Sequence, residues 1–170
     1  MPLQLSSRER LQPSLLDRLT DSAPDQAREG ADQQVLSMVA LRQAVLRDLA
    51  WLLNTTNLQT TSDLENTPQV ASSTVNYGIP GFAGLIAASD KARALEVALV
   101  TAIKRFEPRI DPATLRVRAR AQGGGDSPTA LVFDIEGELW AQPVPQLLFL
   151  ETAIELETRL ALVKDTRPRG

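Results

Sequence analysis

The chain has 170 residues, 43% of them hydrophobic, and a formal net charge of −3, which suits one domain with a real core and is too short for two comfortable ones. It contains no Cys and no His, which together remove thiol nucleophiles, disulfides, imidazole bases, catalytic triads and the common zinc sites. No metal or cofactor site is expected. No stretch reaches the roughly 18 uninterrupted apolar residues of a membrane span, and the N-terminal residues hold no apolar run of signal-peptide length, so the expected location is cytoplasmic.

Residues 1–32 read as a polar tail with one short helix, Pro13 to Leu19, whose Leu15, Leu16 and Leu19 could dock elsewhere; Gly30 marks a joint. Residues 33–163 form the single domain and 164–170 a charged C-terminal tail. From Val35 to Leu53 the residues Met38, Leu41, Val45, Leu49 and Leu52 recur at three and four, the spacing of a helix about five turns long. Ala40, Ala44 and Trp51 fall opposite that stripe, so the helix is either covered on two sides or presents a small-residue groove beside a tryptophan. Residues 54–69 are a long polar connection, of a size that often binds something or stays mobile. Tyr77-Gly78-Ile79-Pro80-Gly81 is a rigid turn in which Gly78 and Gly81 can take positive φ.

Ser89 or Asp90 caps the next helix, whose Leu95, Leu99, Ala102, Ile103 and Phe106 form one stripe. That stripe runs into Glu107-Pro108-Arg109. Pro108 has no N–H and disfavours helical angles at Glu107, so the helix should stop near Phe106 and project Glu107 and Arg109 on a stiff, extended corner. Arg109 suits a helix C-terminus, whereas Glu107 meets a macrodipole of its own sign and calls for a cationic partner. Arg42, beside the apolar stripe of the first long helix, either supplies that cation or snorkels to water.

A strand follows at about Leu115 to Ala121, then a flexible Gly123-Gly124-Gly125 loop and a strand at about Ala130 to Leu139. Between Pro145 and Val163, helical propensity competes with strict alternation of Thr152, Ile154, Leu156, Thr158, Leu160 and Leu162. Alternation of that length predicts a third strand. Residues 91–120 carry eight Lys or Arg and three acids. Arg116, Arg118 and Arg120 share a strand face, however, and Asp134, Glu136 and Glu138 share a face of the next. Pairing across a hairpin uses up the basic stripe and leaves nothing for nucleic acid.

Several segments fall in one order: Leu41-Arg42 with Val45-Leu46-Arg47-Asp48-Leu49 and Leu52-Leu53-Asn54-Thr55, then Val75-Asn76-Tyr77-Gly78-Ile79-Pro80, Phe106-Glu107-Pro108-Arg109, and Gly137-Glu138-Leu139-Trp140 with Pro143 and Pro145. Together they resemble the TssE family, baseplate wedge subunits of type VI secretion systems that are similar to a wedge protein of contractile phage tails. The resemblance implies an α+β fold with N-terminal helices packed on a three-stranded antiparallel β meander. It also implies a non-catalytic structural role at the cytoplasmic side of the inner membrane, with TssF and TssG as wedge partners, the sheath subunits TssB and TssC above, TssK reached indirectly, and no direct membrane insertion. The Glu-Pro-Arg element of that family is associated with starting sheath assembly, so the role transfers to Glu107, Pro108 and Arg109. A physical route is strand addition at an open edge of the sheet.

Trp51 and Arg42 complete the candidate partner-binding residues. The alternatives are a stand-alone protein-binding adaptor and a lysozyme-like glycosidase using Glu107 and Asp111. The second is disfavoured by the seven aromatic residues in the chain, too few for sugar platforms. An arginine next to Glu107 also lowers a pKa that an acid catalyst needs raised.

Overall fold

A computed structural model describes residues 14–19, 38–81, 89–120, 130–140, 145–155, 158 and 160–166. Pro13, residues 35–37, the N-terminal flank of the helix at Ser89, the triple-glycine loop and Pro143 lie outside these. The helices are α1 (Leu15–Leu19), α2 (Met38–Leu53), the short α3 (Pro68–Ser72) and α4 (Ser89–Phe106). The strands are β1 (Arg116–Ala119), β2 (Ala130–Leu139), β3 (Gln146–Glu155) and β4 (Ala161–Asp165), in the order β1-β2-β3-β4 with every pairing antiparallel. The class is α+β, with the helices preceding the meander.

The meander has four strands rather than three. In the sequence the apolar alternation runs on to Leu162, but the buried phase does not: Ile154 pairs with Ala161 and both are buried, whereas Leu160 and Leu162 are exposed. Residues 156–159, Leu-Glu-Thr-Arg, contain no Gly, Pro or Asn to mark a turn. A period of two therefore cannot reveal that the chain folds back there. β4 also runs through Lys164 and Asp165, which lie beyond the expected domain boundary at 163.

One core joins the layers. Leu41, Val45, Leu49, Leu52 and Leu53 of α2 and Leu95, Leu99, Ala102 and Ile103 of α4 pack against Leu131, Phe133, Ile135 and Leu139 of β2 and Leu148, Leu150 and Ile154 of β3. Each large aliphatic side chain buried there contributes about 1.5–3 kcal/mol. Ala44 is buried too, which fits a helix covered on two sides and not an open small-residue groove, whereas Trp51 is 51% exposed. On the other face of the sheet Arg116 sits opposite Glu136 and Arg118 opposite Asp134, as the charge pattern predicts. Arg120 bridges Asp134 and Glu151.

The edges of the sheet differ from the open edge expected. At β1, the Ala119 N–H donates to Glu96 Oε1 of α4 at 2.6 Å. At β4, the Asn54 side chain behaves as one residue of a neighbouring strand: its Nδ2 donates to the Ala161 carbonyl and its Oδ1 accepts the Ala161 N–H, both at 2.9 Å. Helix side chains thus engage backbone groups at both edges, one of the ways in which proteins guard exposed strands.

The polar connection after α2 is knit to the body rather than loose. The buried Asn76 accepts the Gln59 N–H at 2.9 Å and donates to the Ala71 carbonyl at 2.9 Å. Ile79 and Thr55 exchange backbone contacts across this segment, with the Ile79 N–H donating to the Thr55 carbonyl at 2.9 Å. Gly78 makes that approach possible at φ +118, and a Cβ there would sit 2.3 Å from the Thr55 carbonyl oxygen. Gly81 does not take positive φ; it lies close to Thr60 instead. Gly78→Ala is expected to destabilise the fold by at least ~1–3 kcal/mol from backbone strain and contact with a main-chain oxygen, read as a lower denaturant midpoint with an unchanged slope.

Candidate functional site

α4 ends at Phe106, where the sequence places its stop. Lys104 and Arg105 in the last turn complement the helix dipole, and Glu107 continues the helical hydrogen bonding to the Ile103 carbonyl at 2.9 Å. The chain then turns instead of extending, with the Ile110 N–H donating to the Glu107 carbonyl at 3.2 Å. Pro108 stands exposed at the tip, while Glu107 is 2% exposed. The acid is therefore not projected outward as the proline argument predicts. It folds inward because its counter-ion lies two residues along the chain.

That counter-ion is Arg109. Its Nε donates to Glu107 Oε1 at 2.7 Å, and its Nη2 donates to Glu107 Oε2 and, at 2.6 Å, to Asp48 Oδ2 of α2. The Arg109 N–H adds a third hydrogen bond to Glu107 at 3.1 Å. Charge-assisted, bidentate contacts of this kind offset the desolvation of a buried carboxylate. Burial disfavours the Arg109 charge, but hydrogen bonds and attraction from Glu107 and then Asp48 outweigh it and hold the guanidinium pKa well above its ordinary value. Tyr77 covers one side. Its ring meets Phe106 edge-on at 5.1 Å, and burial first, then the Asp48 and Glu107 charges, push its phenol pKa upward.

The corner is also sewn to β2. The Trp140 N–H donates to the Arg109 carbonyl and the Asp111 N–H to the Glu138 carbonyl, each at 2.8 Å, with Ile110 bridging to Leu139. Ile110 is buried against Gly137, where a Cβ would lie 2.9 Å from the isoleucine Cγ2. The Gly137-Glu138-Leu139-Trp140 segment thus provides the seat for the residues after Pro108.

Arg42 does not serve Glu107. Its guanidinium forks onto Asp165 of β4 and donates to the Leu147 carbonyl at 3.1 Å, tying α2 to the far side of the sheet. Nor is Arg109 free to meet an acidic partner, as it is engaged by two acids already. Sequence reasoning passed over Asp48, Arg47 and Asp17. Arg47 Nε donates to Asp48 Oδ1 at 2.9 Å and its Nη1 to Asp17 Oδ1 of α1 at 2.7 Å. Its guanidinium carbon lies 5.2 Å from the centre of the Trp51 ring. The available signal was an acid, Asp48, next to the core leucine Leu49, a position that needs a base. Trp51 and Arg47 therefore belong to one side of a continuous charge cluster and Glu107, Pro108 and Arg109 to the other.

As for catalysis by Glu107 and Asp111, the first carboxylate is buried in its ion pair and the second accepts the Ala113 N–H at 2.9 Å. Among the described residues no group of three or more acidic side chains is arranged to hold a metal ion.

Residues 39–144, well over half the chain, match the model of the family of baseplate wedge protein gp25. That span holds α2, the Glu107-Pro108-Arg109 turn and β2. The chain belongs to the baseplate wedge protein gp25 family. Its role is accordingly a structural one in a baseplate, and the TssE-like resemblance in the sequence is upheld at that level. Among solved structures, it is similar to a protein of Geobacter sulfurreducens described as a tail lysozyme, with 14% identity, 80% of this chain and 98% of that chain covered, and a TM-score of 0.44. No curated protein matches. No helix among the described residues is long and apolar enough to cross a membrane.

Two measurements probe the cluster. Arg109→Ala leaves the Glu107 carboxylate buried without its cation and is expected to cost about 3–5 kcal/mol in chemical denaturation, with Glu107→Gln in the same direction and the double variant markedly non-additive. Arg120→Ala, on the exposed face, should stay within about 1 kcal/mol. The second concerns pH. Burial raises the Asp17 pKa, but hydrogen bonds from Ser14 and Arg47 and the Arg47 charge outweigh it and hold the value below the ordinary one. Its contribution is therefore complete above the unfolded value of about 3.9 and lost as pH falls through the lower folded value. Protection of the α1 amides, relative to the intrinsic exchange rate at each pH, should fall in that acid range and stay constant at pH 5–7.

Proposed function

We propose that this chain is a non-catalytic subunit of a type VI secretion baseplate wedge, where its Glu107-Pro108-Arg109 turn couples the wedge to the contractile sheath and helps start sheath assembly. The observation that carries this reading is the turn itself, lying within the span matched to the family. Glu107 and Arg109 are locked below, and Pro108 is presented above on a base fixed from α2, α4 and β2. A rigid, preorganised contact loses little conformational freedom on docking. TssF and TssG are the proposed wedge partners, with TssB and TssC in the first sheath ring, TssK reached through the wedge, and a position at the cytoplasmic side of the inner membrane.

The half-exposed Trp51 and its stacked arginine form the proposed wedge-facing side, since aromatic and arginine anchors dominate protein interfaces. Arg42 acts from within, holding α2 against β4. If a sheath strand adds to β4, it has to displace the Asn54 amide from Ala161. Absence of catalysis is supported by the ion-paired burial of Glu107 and the engagement of Asp111 within its own turn.

The test separates contact from stability. Pro108→Ala keeps the ion pair and is expected to change stability by no more than about 1 kcal/mol while reducing the number of assembled sheaths in cells that express it at wild-type level. Trp51→Ala should lower co-purification with TssF and TssG while the free subunit melts normally. Normal sheath number with Pro108→Ala, together with normal co-purification of Trp51→Ala, overturns the assignment. Peptidoglycan hydrolysis that is lost in Glu107→Gln overturns the non-catalytic part.

A further inference from the structure

The way α1 is held points to a second use of Arg47. α1 has five residues, too few to stand alone in water. Its order comes from Ser14, whose hydroxyl accepts the Asp17 N–H at 3.2 Å and donates to Asp17 Oδ2 at 2.6 Å. The other oxygen of Asp17 takes the Arg47 hydrogen bond, leaving that side chain 10% exposed. Leu15 and Leu19, by contrast, are 72% and 74% exposed. Asp17 thus anchors the helix while the Leu15 and Leu19 side chains stay exposed.

Beneath it, Arg47 is held independently. Asp48 positions its Nε, and the Trp51 ring lies under its guanidinium at cation–π distance. The charges run Asp17, Arg47, Asp48, Arg109, Glu107, with three acids and two bases in contact along the series. Without Asp17 the other four balance. The acid from α1 is therefore the surplus member, and Arg47 can exchange it for another carboxylate without disturbing the neutrality of the buried cluster. Arg47 Nη2, which lies 2.8 Å from Asp48 Oδ1 but lacks hydrogen-bond geometry to it, has no hydrogen-bond partner of its own.

We propose that the Arg47–Trp51 pair is a docking point for an acidic side chain on a partner protein, and that α1 occupies this point as a displaceable strap in the free subunit. Charge complementarity selects the acid. The Asp17 carboxylate seated there shows the kind of group the site accepts. The inference rests on reading the Trp51 side of α2 as a partner surface, but its test needs no baseplate component, so its failure leaves the wedge assignment standing.

The experiment uses the full chain carrying Trp140→Phe, so that the one remaining indole N–H signal in the NMR spectrum reports Trp51. Asp17→Asn is expected to shift that signal while core amides stay in place. A blocked peptide with the sequence of residues 14–19, added at millimolar concentration, should return the signal towards its original position. The strap at an effective concentration of order millimolar should make the unreleased chain respond at least ~10-fold more weakly. The same peptide with Asn in place of its Asp should have no effect, and neither should the acidic peptide on Asp17→Asn combined with Arg47→Gln. An unshifted indole in Asp17→Asn shows that the strap does not cover the platform. A released chain that ignores the acidic peptide, or responds equally to the Asn peptide, shows that Arg47 does not select an acid. Each of these results overturns the proposal.

Discussion

The Arg109 guanidinium, gripped by Glu107 from its own turn and by Asp48 from α2, is the constraint on which the rest of the molecule depends. It joins the end of α4 to the middle of α2 through side chains, and the backbone hydrogen bond at the Arg109 carbonyl ties the same turn to the end of β2. A hydrophobic contact would have held them with less desolvation cost, but would not have fixed their angles. Two acids aimed at one planar fork specify orientation as well as proximity. What a buried ion pair lacks in net stability it provides in geometry.

Around that fixed point the two long helices divide the sheet between them. α2 reaches β4 through Arg42 at one end and Asn54 at the other, and α4 reaches β1 through Glu96. The core leucines hold the layers together without setting their register. Polar side chains do so: Glu96 and Asn54 take up backbone groups at the edge strands β1 and β4, and Arg42 grips the Asp165 carboxylate. The same residues that look like ordinary polar decoration on the helical wheel are therefore the ones that align helix and strand.

Much of this was legible in the sequence, and the failures have physical causes. The periodicities of α2, α4 and β2 were clear because each buries one stripe against the same core, and β2 spans the residues that alternation marks. The salt bridge was legible only in part. A wrong-sign acid after a helix shows that a cation is needed, but pairing through space does not respect distance along the chain. Pro108 by itself projects Arg109 on an extended corner and gives no sign of its folding back, and Asp48, at 61 residues from Arg109, left no periodic trace. The fourth strand was hidden because apolar residues continue to alternate through Leu162 with no Gly or Pro between, although in β4 it is Ala161 that is buried. Periodicity alone left open whether the side of α2 bearing Ala44 was covered or formed a groove, and the burial of Ala44 decides for cover there.

Asn54 has a consequence for supply. A bare strand edge on a free subunit would seed pairing with other strands anywhere in solution. With the amide of Asn54 standing in for a neighbouring strand at Ala161, the leading end of that margin is already satisfied while the protein is free. An incoming strand gains only the difference between its own hydrogen bonds and those it displaces. Strand addition at Ala161 is then favourable where other contacts add to the exchange and close to neutral where they do not.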